Sequence, residues 1–304
     1  MGGVPLAVLS AVVPVFLVAG TGYLAGRKLP LDVRTLSSLN IYLFIPALIF
    51  ANLSKSAIEW ALFARCALGV FFMTMAMIAI LTALARARRM AQEDRSAFLM
   101  TLFPNLGNFG LPVVRFAFGE EALALALVIL VCGSLLQNSI GVYFAQRHRH
   151  GVLDAAKRVF RFPMIYAFAL ALVFQRTGWE VPEAAFRAIR LVADAAIPVQ
   201  LIILGVKLAE TRLEKGADVF LAVGTRLCVG PLVAWGVVAA VGLSGISGKV
   251  FILQMSTPVA VAMAVYGVQF NVKPTFLASV VSWSFLLSLV TVSAVLWILY
   301  ALPS

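Results

Sequence analysis

Long runs of apolar residues, separated by short polar connections, make up almost the whole chain. Because a helix needs about 20 consecutive apolar residues to cross a bilayer, each run predicts a membrane-spanning helix. The pattern predicts ten of them, called span 1 to span 10 in chain order, at about 5–26, 36–54, 60–85, 97–117, 122–146, 162–177, 184–208, 218–242, 249–270 and 275–300. The connections are too short to hold a soluble domain, so we expect an all-α, multi-pass membrane protein.

The composition supports this class and narrows the partners. Of 304 residues, 62% are hydrophobic and 12% are charged, whereas a soluble domain is about a quarter charged. The net charge of +11 is carried by basic residues in short blocks between the apolar runs. The expected neighbours of such blocks are anionic lipid headgroups, so we predict a lipid bilayer as partner and no nucleic acid.

The charges of the connections alternate along the chain. With ten spans, the odd-numbered connections carry most of the loop lysines and arginines, including the basic run 147–161. The even-numbered connections carry only Lys55, Arg176 and Lys249. Since cytoplasmic loops carry an excess of these residues, we expect the odd-numbered connections in the cytoplasm. Both chain termini then lie on the other side of the cell membrane.

Prolines recur at a nearly constant offset, which indicates an internal duplication. Four pairs lie between 149 and 154 residues apart: Pro14 and Pro163, Pro30 and Pro182, Pro46 and Pro198, Pro104 and Pro258. The offset predicts two five-helix repeats, over 1–150 and 158–304. Because five is odd, the second repeat has the opposite orientation in the membrane. Inverted repeats with interrupted helices at matching positions are the plan of many secondary transporters.

Span 4 contains a run that cannot continue an ordinary helix, Phe103–Pro112, with the sequence F-P-N-L-G-N-F-G-L-P. Proline lacks the backbone N–H and clashes with the preceding turn, and glycine disfavours helix. Backbone groups freed by a break are costly in lipid, so such a break must face protein, water or a ligand. We expect a half-helix to begin near Asn108–Leu111, with its free N–H groups and positive dipole end favouring an anion.

The residue types in this run suit anion binding. The asparagines can donate hydrogen bonds through their side-chain amides, and the glycines allow close approach of the backbone. The alternative is a simple proline kink that neighbouring helices repair. The predicted substrate-binding residues here are Asn105, Gly107, Asn108, Gly110 and Pro112, with Pro104 as the break.

Span 9 supplies a matching segment, Q-M-S-T-P-V-A at 254–260. Its predicted substrate-binding residues are Gln254, Ser256, Thr257 and Pro258. In the alternative interpretation, the serine and threonine hydroxyls bond back to the preceding helical turn. Two broken helices that cross near the middle of the membrane would hold a carboxylate without any buried basic side chain.

Three further positions bear on the walls of the site and on ion coupling. Pro46 and Pro198 lie deep in spans 2 and 7, where they are expected to bend the helices that wall the site. Asp194 lies near the middle of span 7, and an acidic residue at such depth is costly and normally functional or paired. We predict that it binds a coupling proton or sodium ion; the alternative is a structural ion pair with Arg190. No other cofactor is expected.

For the remaining polar residues, a structural role explains their presence at least as well as a functional role. Gln137 and Asn138 in span 5 either face the cavity or form interhelical hydrogen bonds. Arg226, near one end of span 8, is expected to snorkel towards the membrane surface. His148 and His150 lack further ligands, so no metal site is expected. Because no phosphate-loop or hydrolase motif is present, we expect neither an ATP-driven motor nor an enzyme.

The run P-N-L-G-N-F-G-L-P (104–112) resembles the N-x-G-N-x-G-L-P signature of the auxin efflux carrier family, whose bacterial members include malonate-carrier-like permeases. Other segments are similar to the family in the expected order: I-P-A-L-I-F (45–50), D-A-A-I-P-V-Q-L-I-I-L-G (194–205), S-T-P-V-A (256–260) and A-S-V-V-S-W-S-F-L-L-S-L-V-T-V (278–292). The chain lacks the long central loop of the large plant carriers and is similar to the compact bacterial type.

The resemblance implies ten helices in two inverted repeats, with spans 4 and 9 broken and crossed, as in bile-acid symporters and sodium/proton antiporters. It also implies a scaffold domain, a moving transport domain and a small organic anion as substrate. We therefore expect a secondary transporter of a small carboxylate, such as the dicarboxylate malonate, that works by alternating access. The alternatives are a cation/proton antiporter and a membrane anion sensor. Direction of transport, ion coupling and a homodimer are left open.

Overall fold

The computed structural model describes residues 3–56, 59–146, 162–211 and 213–302, and this part of the chain is helical. The basic run 147–161, with His148 and His150, lies outside the described residues. The helices are α1 (Gly3–Lys28), α2 (Val33–Leu53), α3 (Trp60–Ala87), α4 (Gln92–Met100), α5 (Leu106–Ala145), α6 (Pro163–Thr177), α7 (Glu183–Asp194), α8 (Ala196–Glu210), α9 (Ala217–Val241), α10 (Gly245–Met255), α11 (Val261–Phe270) and α12 (Pro274–Ala301).

Seven helical stretches of the described chain are long and apolar enough to cross a membrane. They are α1, α2, α3, α5, α7 together with α8, α9 and α12. The prediction of an all-α, multi-pass membrane protein is therefore confirmed. Predicted spans 4 and 9 differ from these stretches because each consists of two shorter helices, α4 with the start of α5, and α10 with α11.

The 40 residues of α5 cannot form one membrane crossing. A straight helix of that length would measure about 60 Å, twice the thickness of the hydrocarbon core. Gly119 divides α5, with a φ of 83° and a ψ of −171°, a conformation that is essentially restricted to glycine. The part before Gly119 completes predicted span 4, and the part after it corresponds to predicted span 5.

Wider π-helical turns interrupt several of the long helices at polar residues. They lie at Asn40–Phe44 in α2, Leu106–Gly110 and Gln137–Gly141 in α5, and Thr225–Val229 in α9. Such turns inside α-helices are often found at functional sites. Pro46 directly follows the turn in α2, and Pro198 lies in the first turn of α8, just after the bend at Ala195. Both prolines therefore stand next to an interruption of their helix.

The helices pack in two groups. Helices α1, α2, α6, α7 and α8 form the first group, and α3, α4, α5, α9, α10, α11 and α12 form the second. Between the groups, α1 contacts α5 and α12, and α2, α6 and α8 contact α5. The contact between α1 and α8 depends on small residues, as is usual between membrane helices. A Cβ atom added at Gly205 would lie 1.9 Å from the carbonyl oxygen of Ala19, and one at Gly22 would lie 2.4 Å from that of Ile202. The two backbones therefore touch.

Candidate functional site

Two interrupted segments of the chain meet in the interior of the second helix group. Residues 101–105 separate α4 from α5, and residues 256–260 separate α10 from α11; we call these two segments together the crossing. The backbone N–H of Asn105 donates to the carbonyl of Pro258 at 2.7 Å, and that of Ala260 donates to Phe103 at 2.9 Å. This short antiparallel bridge uses backbone groups that the helix breaks set free.

The half-helix after the first break begins earlier than predicted. It starts at Leu106 with a π-helical turn, not near Asn108–Leu111. The side-chain oxygen of Asn105 accepts from the N–H of Asn108 at 3.1 Å, and its carbonyl accepts from Gly110 at 2.9 Å. Because Asn105 caps these early N–H groups, the helical turn can form before the position that proline and glycine alone would suggest. Pro112 is buried in the α-helical turn that directly follows this π-helical turn.

Several hydrogen-bond donors remain free at the two half-helix ends. Within the described ranges, the backbone N–H groups of Gly107, Val261 and Ala262 have no acceptor. The side-chain amide of Asn108 is half-buried and has no partner in the described part of the chain. First-turn N–H groups are the usual unpaired donors of a helix and favour negative charge. The site therefore presents donors from α5 and from α11.

Two buried glutamine amides border this site. Gln254 is fully buried, and neither of its side-chain polar atoms has a hydrogen-bond partner among the residues that the structure describes. Gln200 is 1% exposed, and its side-chain oxygen likewise has no partner among them. A Cβ atom at Gly110 would lie 2.1 Å from Oε1 of Gln254, and one at Gly107 would lie 3.8 Å from Oε1 of Gln200. An unsatisfied buried polar group costs about 1–3 kcal/mol, so these amides are suited to pair with a bound molecule.

If the crossing binds the organic anion that the sequence predicts, the Gly110→Ala substitution is expected to weaken this binding about tenfold, because the new methyl group occupies the place of the Gln254 amide and overpacking costs about 1–3 kcal/mol. The dissociation constant of malonate, measured by ligand-induced thermal stabilisation, checks this. Gly236→Ala is the control, since a Cβ atom there meets nothing within 4 Å. Wild-type affinity in Gly110→Ala would show that this glycine does not shape the site.

The hydroxyls of the second segment bond to their own helix. Ser256 donates to the carbonyl of Ile252 at 2.6 Å, and Thr257 donates to that of Gln254 at 2.8 Å. This is the arrangement of the structural alternative considered above. Both side chains are buried and cap the end of α10. The contribution of this segment therefore lies in its backbone, where the Pro258 carbonyl holds the crossing together by accepting from Asn105, and in Gln254.

Arg226 does not snorkel, and this prediction is wrong. Its side chain is 1% exposed and lies against the crossing. Nη1 donates to the carbonyl of Leu102 at 2.8 Å, Nε donates to that of Thr257 at 3.1 Å, and Nη2 donates to that of Met255. The expectation of a crossing without a buried basic side chain is therefore wrong as well. The guanidinium binds carbonyls that the two helix breaks leave free, which no local sequence pattern could indicate.

Asp194 lies apart from these residues, in an exposed charged cluster on α7. Its carboxylate is about half exposed and lies 3.3 Å from Nε of Arg190, as in the structural alternative. A second carboxylate, that of Glu120, lies 3.7 Å from Nη2 of Arg190. This contact links α7 to α5 next to Gly119. A role for Asp194 in ion coupling stays a prediction.

Gln137 and Asn138 occupy the π-helical turn in the second half of α5. Gln137 lines a small enclosed cavity of about 10 Å³ beside Pro104 and Met255, about the space of one water molecule. Asn138 donates to the carbonyl of Ser134 at 2.8 Å and accepts from the Tyr266 hydroxyl of α11. Gln137 therefore borders the crossing, whereas Asn138 forms an interhelical hydrogen bond.

A larger cleft opens on the surface of the protein and reaches the first residue of α11. It has a volume of about 660 Å³ and lies between α8, α11 and α12. Val261, the first residue of α11, contributes to its wall, and the basic residues Arg34 and Lys207 line it as well. The cleft therefore reaches the start of α11, and its charged lining residues are Arg34, Lys207 and Glu210.

The chain forms many apolar helices, and two interrupted helices cross in its interior. This combination is typical of a multi-pass membrane transporter. A family model described as membrane transport protein matches residues 7–298. The chain therefore belongs to this family, the auxin efflux carrier family, as its motifs predicted. The family and the relatives below are membrane transporters and not enzymes.

Three relatives illustrate the range of the family. An uncharacterized transporter of Methanothermobacter thermautotrophicus is 28% identical over 265 residues, which cover 86% of this chain and 87% of that protein. A putative malonate transporter of Rhizobium meliloti is 25% identical over 317 residues, covering 96% and 97%. A probable auxin efflux carrier component 1b of Oryza sativa subsp. japonica is 29% identical over 140 residues, covering 44% and 25%.

Proposed function

We propose that this protein is a secondary transporter that moves a small organic anion, specifically a dicarboxylate such as malonate, across the cell membrane. The observation that carries this proposal is the crossing, where two half-helices with free N–H groups begin side by side and the buried guanidinium of Arg226 binds both interrupted segments. Hydrogen bonds to a charged acceptor are about twice as strong as neutral ones. A carboxylate is therefore a better ligand for these donors than a neutral group or a cation.

Two half-helix ends favour a substrate with two carboxylates. One carboxylate would accept from Gly107 and Asn108, and the other from Val261 and Ala262. The buried amides of Gln200 and Gln254 would complete the hydrogen bonds. The similarity to a putative malonate transporter over nearly the whole chain supports a substrate of this size and charge.

The proposed architecture has ten spans in two inverted repeats, 1–150 and 158–304. Matching interruptions at Pro104 and Pro258 support the repeat, and α4 with α5 and α10 with α11 would be the broken spans 4 and 9. The group that contains α1, α2, α6, α7 and α8 would form the scaffold, and the group that holds the crossing would move against it. Such rigid-body movement around a fixed site is the usual mechanism of inverted-repeat transporters.

The orientation follows from the basic side of the molecule. By the positive-inside rule, the end of the bundle with Arg34 and Lys207 faces the cytoplasm, and both termini face the opposite side. The 660 Å³ cleft between α8, α11 and α12 would then be the entry path from the cytoplasm. Its two basic side chains outnumber its one acidic side chain, that of Glu210, and would favour the entry of anions.

Transport by purified protein in liposomes tests the proposal. We expect uptake of labelled malonate that is competed by unlabelled dicarboxylates and absent from liposomes without protein. Sodium or proton exchange that is independent of organic acids would instead establish a cation/proton antiporter. Anion binding without any flux would establish a sensor.

A role of Asp194 in coupling is tested with the same liposomes. If Asp194 binds the coupling proton or sodium ion, Asp194→Asn changes the dependence of malonate uptake on pH or on sodium. Arg187→Gln is the control, because Arg187 lies on the same helix and pairs with exposed Glu183 at 2.8 Å. Full transport by Asp194→Asn with unchanged pH and sodium dependence would exclude the role.

A further inference from the structure

Arg226 joins the two interrupted helices of the crossing. Its π-helical turn in α9 directs the side chain into the interior, where the guanidinium is almost completely buried. One acceptor, Leu102, follows the end of α4, and the other two, Met255 and Thr257, lie at the end of α10. A single side chain thus binds backbone from both broken helices, which are separated by more than 150 residues along the chain.

The charge of Arg226 has no carboxylate counter-ion in the part of the chain that the structure describes. Three neutral carbonyl groups take its hydrogen bonds. These carbonyls lie at the C-terminal ends of α4 and α10, where the helix dipole is negative and favours a cation. A buried charge without a partner of opposite charge is costly.

The position of Arg226 affects the sign of the electrostatic potential at the crossing. The guanidinium offsets the negative ends of α4 and α10. The positive ends of α5 and α11 face no carboxylate among the described residues, and Asn105 satisfies only two of the N–H groups of α5. Asn105 and Ala260, which precede these positive ends, lie three residues from Leu102 and from Thr257. The net potential that Arg226 and the helix ends produce at the crossing is therefore positive, and an anion would balance it.

We propose that Arg226 is the positioning and charge-selecting residue of the anion site, holding both helix breaks in register through three carbonyl oxygens and supplying the positive charge that favours a dianion. The inference rests on the proposed function, because it assigns the charge preference of that same site. It predicts that the affinity for malonate depends on Arg226 more strongly than the affinity for malonamate, in which an amide replaces one carboxylate.

Ligand-induced thermal stabilisation of purified wild type, Arg226→Gln and Arg226→Lys tests this inference, with malonate and malonamate as the two probes. We expect Arg226→Gln to raise the dissociation constant of malonate about 100-fold, as for loss of one partner of a buried charged contact. The dissociation constant of malonamate should rise less, so the preference for the dianion shrinks. Lysine keeps the charge but cannot bind three carbonyls in the planar geometry of arginine, so Arg226→Lys should weaken both ligands and keep the preference.

The ratio of the two dissociation constants does not depend on the fraction of protein that is folded, which separates charge selection from a merely structural role. Arg65→Gln is the matched control, because Arg65 also donates to a backbone carbonyl, that of Gly242 at 3.1 Å, but in an exposed position. An unchanged ratio in Arg226→Gln overturns the inference. If Arg226→Gln does not fold, loss of the preference in Arg226→Lys overturns it, and retention with weaker binding supports it. A wild type that neither ligand stabilises contradicts the proposed function itself.

Discussion

Replacing Gly205 with alanine is expected to destabilise the protein by about 3 kcal/mol, at the upper end of the usual cost of overpacking. The added Cβ atom would lie 1.9 Å from the carbonyl oxygen of Ala19 and 2.6 Å from the backbone nitrogen of Tyr23. Both are backbone atoms of α1, which cannot rotate away as a flexible side chain can. Helices α1 and α8 would have to separate, and unfolding of the detergent-solubilised protein measures the loss.

Gly20→Ala is the matched control for this substitution. Gly20 lies on α1 close to the same contact, yet a Cβ atom there meets nothing within 4 Å. Since alanine favours helix over glycine by about 1 kcal/mol, Gly20→Ala should keep or raise the stability. Equal stability of Gly205→Ala and wild type would mean that α1 and α8 are not packed backbone to backbone.

The second large effect is expected from Asn108→Ala, which should weaken malonate binding about 10- to 100-fold, the value of one hydrogen bond to a charged group. The side-chain amide of Asn108 has no partner among the described residues. Its removal therefore takes a donor from the ligand and no contact from the fold. The dissociation constant of malonate and the stability without ligand are the two quantities to measure.

Asn105→Ala, in contrast to Asn108→Ala, should lower the stability of the protein without ligand. Its side chain accepts from the N–H of Asn108 at 3.1 Å, and loss of such a helix cap costs about 0.5–2 kcal/mol. Asn52→Ala serves as a neutral control, because the side-chain amide of Asn52 donates to the carbonyl of Leu48 in the preceding turn of α2 at 2.9 Å. Unchanged malonate affinity in Asn108→Ala would remove this residue from the site.

The features that could be predicted from the sequence are those with a local cause. Runs of apolar residues predicted a multi-pass helical protein, and the density of proline, glycine and asparagine at 103–112 located an interruption within a span. The exact start of α5 was missed by a few residues, because it depends on the side chain of Asn105 capping the first turn. The turn at Gly119 was visible only as a gap between two apolar runs.

The features that the sequence did not reveal depend on distant residues. Arg226 binds carbonyls 124, 29 and 31 residues away, and hydropathy cannot distinguish an arginine that reaches inwards from one that snorkels. Gln200 lies two residues after Pro198 in an apolar helix, and this position was the only available signal. The Gln200 side chain lies near Gly107 because α8 packs on α5. The sequence of neither helix alone indicates this packing.

The most direct test is a distance between the bound anion and the backbone at the crossing. Solid-state NMR can measure the dipolar coupling between the carboxyl carbons of ¹³C-labelled malonate and the amide nitrogens of ¹⁵N-labelled protein. We predict couplings to Gly107 and to Val261 that correspond to about 4 Å, as for a carboxylate accepting from an N–H group. Bound malonate that shows no coupling to either nitrogen would contradict an anion site formed by the two half-helix ends.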